Sequence, residues 1–154
     1  MVRTGGVVAG LFIANAAGEP MQRRESVEVV PGLGIRSDRY ATGQGHWSDP
    51  RWPDQELTLV EAELCEALGL GMDGLRRNIV TSGIRLESLI GAEFELGTAR
   101  LRGVRPCDPC RYIETLTRRG LFDELSGRGG LRAAVIRGGT VSVGDAIVVG
   151  ERTE

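Results

Sequence analysis

The 154-residue chain has a single histidine, His46, and only three cysteines, of which just one pair, Cys107 and Cys110, is closely spaced. A structural zinc site commonly needs two C-x-x-C pairs, or one pair with histidines, so structural zinc is set aside. The odd cysteine count excludes a disulfide framework, because Cys65 lies far along the chain in an apolar helical pattern. Cys65 reads as a small buried hydrophobe. No apolar run reaches the roughly 20 residues of a membrane span; Val7 to Ala17 is interrupted by glycine. A charged leader with an apolar stretch and a cleavage site is also missing, which predicts a cytoplasmic protein. There is no excess of positive charge either. A formal net charge of −2 and a pI near 5.6 remove the electrostatic case for nucleic acid or a membrane surface as partner. G-x-S-x-G, H-E-x-x-H, the P-loop and a G-x-G-x-x-G opening a helix after a strand are all absent. Those hydrolase and nucleotide classes drop out, and no flavin or nicotinamide site is seen.

What is abundant is glycine. Its 23 residues punctuate short runs of Val, Ile and Leu, the pattern of short strands joined by tight turns. The prediction is a mainly β protein with a few short helices, one domain over residues 1–154, with 151–154 a solvated tail. Predicted strands are Val7 to Ala14, Glu25 to Val30, Glu93 to Val104, Arg132 to Arg137, Thr140 to Val143 and Ala146 to Val149. Gly144-Asp145 is expected to turn the last two into a closing hairpin. Thr58-Leu59-Val60-Glu61 has capping-box spacing, followed by Val60, Leu64, Ala67 and Leu68 on one helical face, with Gly69 as the stop. Shorter helices are expected around Arg85 to Leu89 and from Tyr112 through Leu125. Residues 36–56 form a long aperiodic segment, a length that marks a functional loop when ordered.

The clearest chemical signature is Arg105-Pro106-Cys107-Asp108-Pro109-Cys110-Arg111. A thiol with an ordinary pKa of about 8.5 becomes a nucleophile or soft-metal ligand when nearby positive charge favours the thiolate. Arg105 and Arg111 supply that charge, and the prolines shape a loop. The residues alone leave open a working thiolate, a dithiol cycling between reduced and oxidised forms, and a buried inert pair. Arg76-Arg77-Asn78 leads into Ile79-Val80-Thr81; in an extended segment adjacent arginines face opposite ways, so one can reach inward to an anion. Gly34-Ile35-Arg36-Ser37-Asp38-Arg39-Tyr40, with His46 beyond, reads either as a turn capped by Asp38 or as a pocket rim carrying Arg39 and His46. Arg128-Gly129-Gly130-Leu131-Arg132 offers backbone amides to an anion just before a strand.

Taken in order, GIRSDRYATGQG, QELTLVEAE, RRNIVTSGIRLESLIGAEFELGTARLRGVRPCDPC and GRGGLRAAVIRGGTVSVGDAIVV resemble the MOSC domain. That module ends molybdenum cofactor sulfurases, occurs in amidoxime-reducing proteins and stands alone in bacteria. The resemblance spans about residues 32 to 149 and implies a MOSC-type β-barrel. It implies a functional cysteine at the end of a long strand pattern, mapped to Cys110 as catalytic thiol and metal ligand, with Cys107 as resolving or alternative thiol. It further implies molybdenum cofactor (molybdopterin) or another small anionic ligand, held by Arg39, Arg76, Arg77, Asn78, Arg105 and Arg128, with Asp38 and His46 orienting the long loop. Implied chemistry is reduction of N-hydroxylated compounds or sulfur transfer, with an electron-transfer or sulfur-donor protein as partner. Larger members carry an N-terminal β-barrel or a pyridoxal-phosphate sulfurase module, neither of which is found in these residues. The Gly-Asp-Arg common in the family's long loop stands here as Ser37-Asp38-Arg39.

Overall fold

The computed structural model describes residues 3–14, 20–36, 38, 56–67, 69–74, 76–106 and 130–150. In chain order these form β1 (Arg3–Ile13), β2 (Gln22–Arg24), β3 (Ser26–Val30), β4 (Gly34–Ile35), β5 (Leu57–Glu61), helix α1 (Ala62–Ala67) and β6 (Ile79–Ser82). A 3-10 turn, Leu86–Leu89, leads into β7 (Glu93–Leu96), β8 (Ala99–Pro106), β9 (Leu131–Arg137), β10 (Gly139–Ser142) and β11 (Ala146–Val149). β1 pairs with β6 along one edge and with β11 along the other. The ring therefore runs β1-β11-β7-β8-β9-β5-β6 and closes as a seven-stranded barrel. Closure leaves no unpaired edge in the ring. β2 continues beside the tail of β1, and β10-β3-β4 form a second, three-stranded sheet.

Period-two alternation explains which side chains fill the barrel. In β9, Leu131, Ala133 and Val135 belong to the main core with Leu11, Leu57, Leu59, Ile79, Phe94, Leu96 and Leu101. A second cluster lies on the outer side of the wall, where Phe12, Val60 and Val80 meet Leu64 and Cys65 of α1. Gly69 then ends the α1 segment in the left-handed region, at φ 71°, with its N–H donating to the Glu66 carbonyl.

β1, β3, β9, β10 and β11 match the predicted strands to within a few residues, as does the 3-10 turn. Three expectations are corrected. Thr58 does not cap a helix: Leu57–Glu61 is a strand between β6 and β9, and only Ala62–Ala67 is helical. Burial on both sides, with every residue from Leu57 to Val60 inside the protein, outweighs the local capping pattern. The run from Glu93 is a hairpin and not one strand, because Gly97 turns it at φ 58°. An added Cβ there would stand 2.1 Å from the Thr140 carbonyl oxygen. Finally, β10 and β11 flank a turn at Gly144 but do not pair. β10 joins β3, and β11 joins β1 and β7, because closing the barrel claims both edges of β11. The helix expected at Tyr112 to Leu125, most of the 36–56 loop and the 151–154 tail lie outside the described residues.

Cys65 is 1 % exposed, and burial pushes its thiol pKa up, with Asp73 adding to the effect and Arg77 opposing it. In a Cys107→Ser/Cys110→Ser variant, a thiol reagent is expected to find no reactive group until the protein is denatured. Rapid labelling of Cys65 in the native state would mean that α1 does not pack as described.

Candidate functional site

Four consecutive cross-strand pairings set the geometry of the wall. Leu11 pairs with Ile79, Ile79 with Leu59, Leu59 with Leu131, and Leu131 with Pro106. The first four of these side chains fill the core, so the neighbouring row faces outward. That row reads Phe12, Asn78, Thr58, Arg132, Arg105, with Thr58 opposite Arg132 and Arg132 opposite Arg105. A register shift between Gly103 and Arg105 brings Arg105 onto this face.

The row faces outward but is covered. Asn78 is fully buried, Thr58 nearly so, and Arg132 is 8 % exposed. Asn78 is occupied within the wall. Its Oδ1 accepts from the Thr58 N–H at 3.1 Å and from Thr58 Oγ1 at 3.3 Å. Its Nδ2 donates to the Phe12 carbonyl at 3.1 Å. Asn78 N–H donates to Thr58 Oγ1 at 3.2 Å, and Phe12 N–H to the Asn78 carbonyl at 2.8 Å. Asn78 therefore ties β1, β5 and β6 together and positions the row.

The arginines sit beside this tie. Arg77 is 7 % exposed, and its Nε lies 3.7 Å from where a Cβ on Gly130 would be. The segment is not extended at Arg76, which adopts φ 58° while its N–H donates to Asp73. This turn directly precedes the buried Arg77. Arg132 keeps Nε and Nη1 buried with no hydrogen-bond partner.

Two buried acids lie on the described part of the structure. Asp38, fully buried, accepts the Ala14 N–H at 3.1 Å through Oδ1 and so holds the end of β1, while its own N–H donates to the Ile35 carbonyl at 3.0 Å. Glu56 accepts the Gly32 N–H at 2.6 Å. Burial raises its pKa despite that bond and one from the Val135 backbone.

Both ends of the segment that contains Cys107, Cys110 and Arg128 meet at this wall, since β8 stops at Pro106 and β9 resumes opposite it at Leu131. Pro106, Gly130 and Leu131 also line a cavity of about 630 Å³, together with Glu61, Leu64 and Ile84. Of the sequence-predicted site residues, Asn78 and Arg105 lie in one row on this wall with Thr58 and Arg132 between them, and Arg76 and Arg77 directly precede Asn78 in sequence. Cys107, Cys110, Arg39, His46 and Arg128 lie outside the described residues. Sequence reasoning named Arg132 only as the end of the Arg128–Arg132 segment, for its backbone amides, and Thr58 only as a helix cap. Arg132 occupies the polar phase of an alternating strand, which reads as a solvent-facing position, and only the cross-strand neighbours show otherwise.

Fold and site together define a class: a closed β-barrel domain whose outer wall carries buried arginines beside the strand pair that brackets a thiol segment. The chain belongs to the MOSC domain family, whose profile matches residues 52–148, and that family is generally associated with the molybdenum cofactor. Among solved structures, the fold is similar to that of the YuaD protein of Bacillus subtilis, with TM-score 0.77 and 23% identity, covering 99% of each chain. YiiM of Escherichia coli is similar at TM-score 0.68 and 17% identity, over 99% of this chain and 71% of that one. YiiM of Geobacillus stearothermophilus follows at 0.65 and 15%, over 98% and 76%. No curated protein sequence matches significantly. Among the described residues, no helix is long and apolar enough to cross a membrane.

Proposed function

We propose that this protein binds the molybdenum cofactor, or a related anionic sulfur–metal species, at the wall that carries Arg77 and Arg105. Cys110 serves as metal ligand or persulfide carrier, and Cys107 as a second thiol. The observation that supports this most directly is the pairing of Pro106 with Leu131, which starts and ends the thiol segment next to Arg105 and Gly130. The residues present fit such a group. Arg77 is buried against the bare backbone of Gly130, where a Cβ would crowd the Leu59 carbonyl at 2.3 Å. Guanidinium forks of this kind match phosphate and oxo groups through paired N–H donors.

When bound, molybdenum would supply two-electron chemistry suited to N–O bond reduction, whereas sulfur transfer would use the Cys110 thiolate as persulfide carrier. The chain's own part is to bind and orient. Arg76, Arg77 and Arg105, with Arg39 and Arg128, hold the anionic groups, Asn78 fixes the strand that bears Arg77, and Asp38 anchors the start of the loop containing Arg39 and His46. Turnover then requires an electron-transfer or sulfur-donor protein.

The test is metal and pterin content after expression in a cofactor-competent host. Wild type is expected to carry near-stoichiometric molybdenum and pterin, Cys107→Ala to retain both, and Cys110→Ala to lose molybdenum. Wild type with neither, or Cys110→Ala indistinguishable from wild type, would overturn the assignment. Reversible joint loss of both thiols under mild oxidant, in protein free of pterin, would favour instead a dithiol cycle between Cys107 and Cys110.

A further inference from the structure

We infer that Arg132, with Arg105 across from it, forms an oxyanion site on the outer wall that takes a tetrahedral dianion of the phosphate class. The inference rests on the reading of this wall as the ligand face, but not on molybdenum or on Cys110.

All 19 basic residues of the chain are arginines, and a buried arginine cannot shed its charge as a buried lysine can. Arg132 is more than nine-tenths buried, yet Nε and Nη1 have no hydrogen-bond partner. Its neighbour across the β8–β9 pair is another arginine, Arg105, and like charges directly opposite each other destabilise a sheet. On its other side stands Thr58, whose hydroxyl is engaged with Asn78. A buried permanent cation with two open donors is the arrangement an anion completes. Opposed residues in an antiparallel pair have Cα atoms about 4.5–5.5 Å apart, so two guanidinium forks can converge on one tetrahedral group.

The probe is inorganic phosphate, added to cofactor-free protein at constant ionic strength with chloride as the balance, and the readout is the melting temperature. For wild type, the melting temperature rises with phosphate and saturates. Arg132→Met, which removes a buried charge with open donors, melts higher than wild type in chloride alone and binds phosphate at least roughly tenfold more weakly. Arg105→Met also weakens the response, and carries the test if Arg132→Met does not fold. Arg100→Met loses the same charge at a site paired with Glu93 and keeps the wild-type response, as does Cys110→Ala. That last result separates this site from the thiol assignment. Pterin retention by Arg132→Met then identifies the source of the dianion: its loss points to the phosphate of a pterin cofactor, its persistence to a free anion. A wild-type response to phosphate no greater than to chloride, or an Arg132→Met response equal to wild type, overturns the inference.

Discussion

Asn78→Ala is expected to lower the unfolding free energy by about 3–5 kcal/mol, since each buried group left without its partner costs about 1–3 kcal/mol. The truncation strands the Thr58 N–H and the Phe12 carbonyl and takes away the acceptor of the Thr58 hydroxyl proton, in a wall where none of the three reaches solvent easily. Against a typical domain stability of about 5–15 kcal/mol, that is enough to leave a measurable unfolded fraction. In urea the midpoint should fall while the slope is unchanged. Thr58→Val removes the hydroxyl side of the same tie and should cost about 1–2 kcal/mol. Because the two residues share their bonds, the double variant should be less destabilised than the sum of the singles. Additive losses would mean that Asn78 and Thr58 act independently and that the tie between β5 and β6 is not what holds the row in place.

Gly130→Ala is the second large effect. Gly130 stands at φ 118°, a region that side chains rarely adopt, and its added Cβ would meet the Leu59 carbonyl oxygen at 2.3 Å. Backbone strain alone costs about 1–3 kcal/mol, and relief of the clash must also pull the start of β9 away from β5. A total near 3 kcal/mol or more is expected, estimated from that strain plus the lost pairing at Leu59. Gly144→Ala is the control: its φ is 94°, but nothing lies within 4 Å of the added atom. There the loss should be conformational only, about 1 kcal/mol. Equal losses at the two positions would show that the approach of Gly130 to Leu59 is not tight. Because Gly130 directly precedes Leu131 and Arg132, its replacement should also blunt the phosphate response.

Much of the barrel was legible in the residues, because strand identity rests on local alternation. Ser26–Val30 buries Val27 and Val29 and exposes Ser26 and Glu28, a pattern visible in the letters. Thr58-Leu59-Val60-Glu61 was not legible. Its capping-box spacing is a statement about neighbours three residues away, whereas its conformation was decided by Ile79 and Leu131, its partners in β6 and β9. The missing hairpin at the end of the chain has the same origin. Gly144 turns as its composition predicts, yet which strands pair is set by closure of the ring, a property of the whole sheet.

The residues alone carry the chemistry on offer: a thiol pair flanked by arginines, arginine in place of lysine throughout, too few histidines for structural zinc, and a strand-rich chain resembling the MOSC domain. Tertiary structure alone decided which of those groups meet. Arg105 and Arg132 are separated in sequence by the whole thiol segment, and Asn78 lies far from both Phe12 and Thr58. Only the pairings of β1 with β6, β6 with β5, β5 with β9 and β9 with β8 align them in one row. The reason is physical: a side chain's face follows from alternation along its own strand, but its neighbours and its burial follow from register across strands, and register is fixed by contacts distant in sequence.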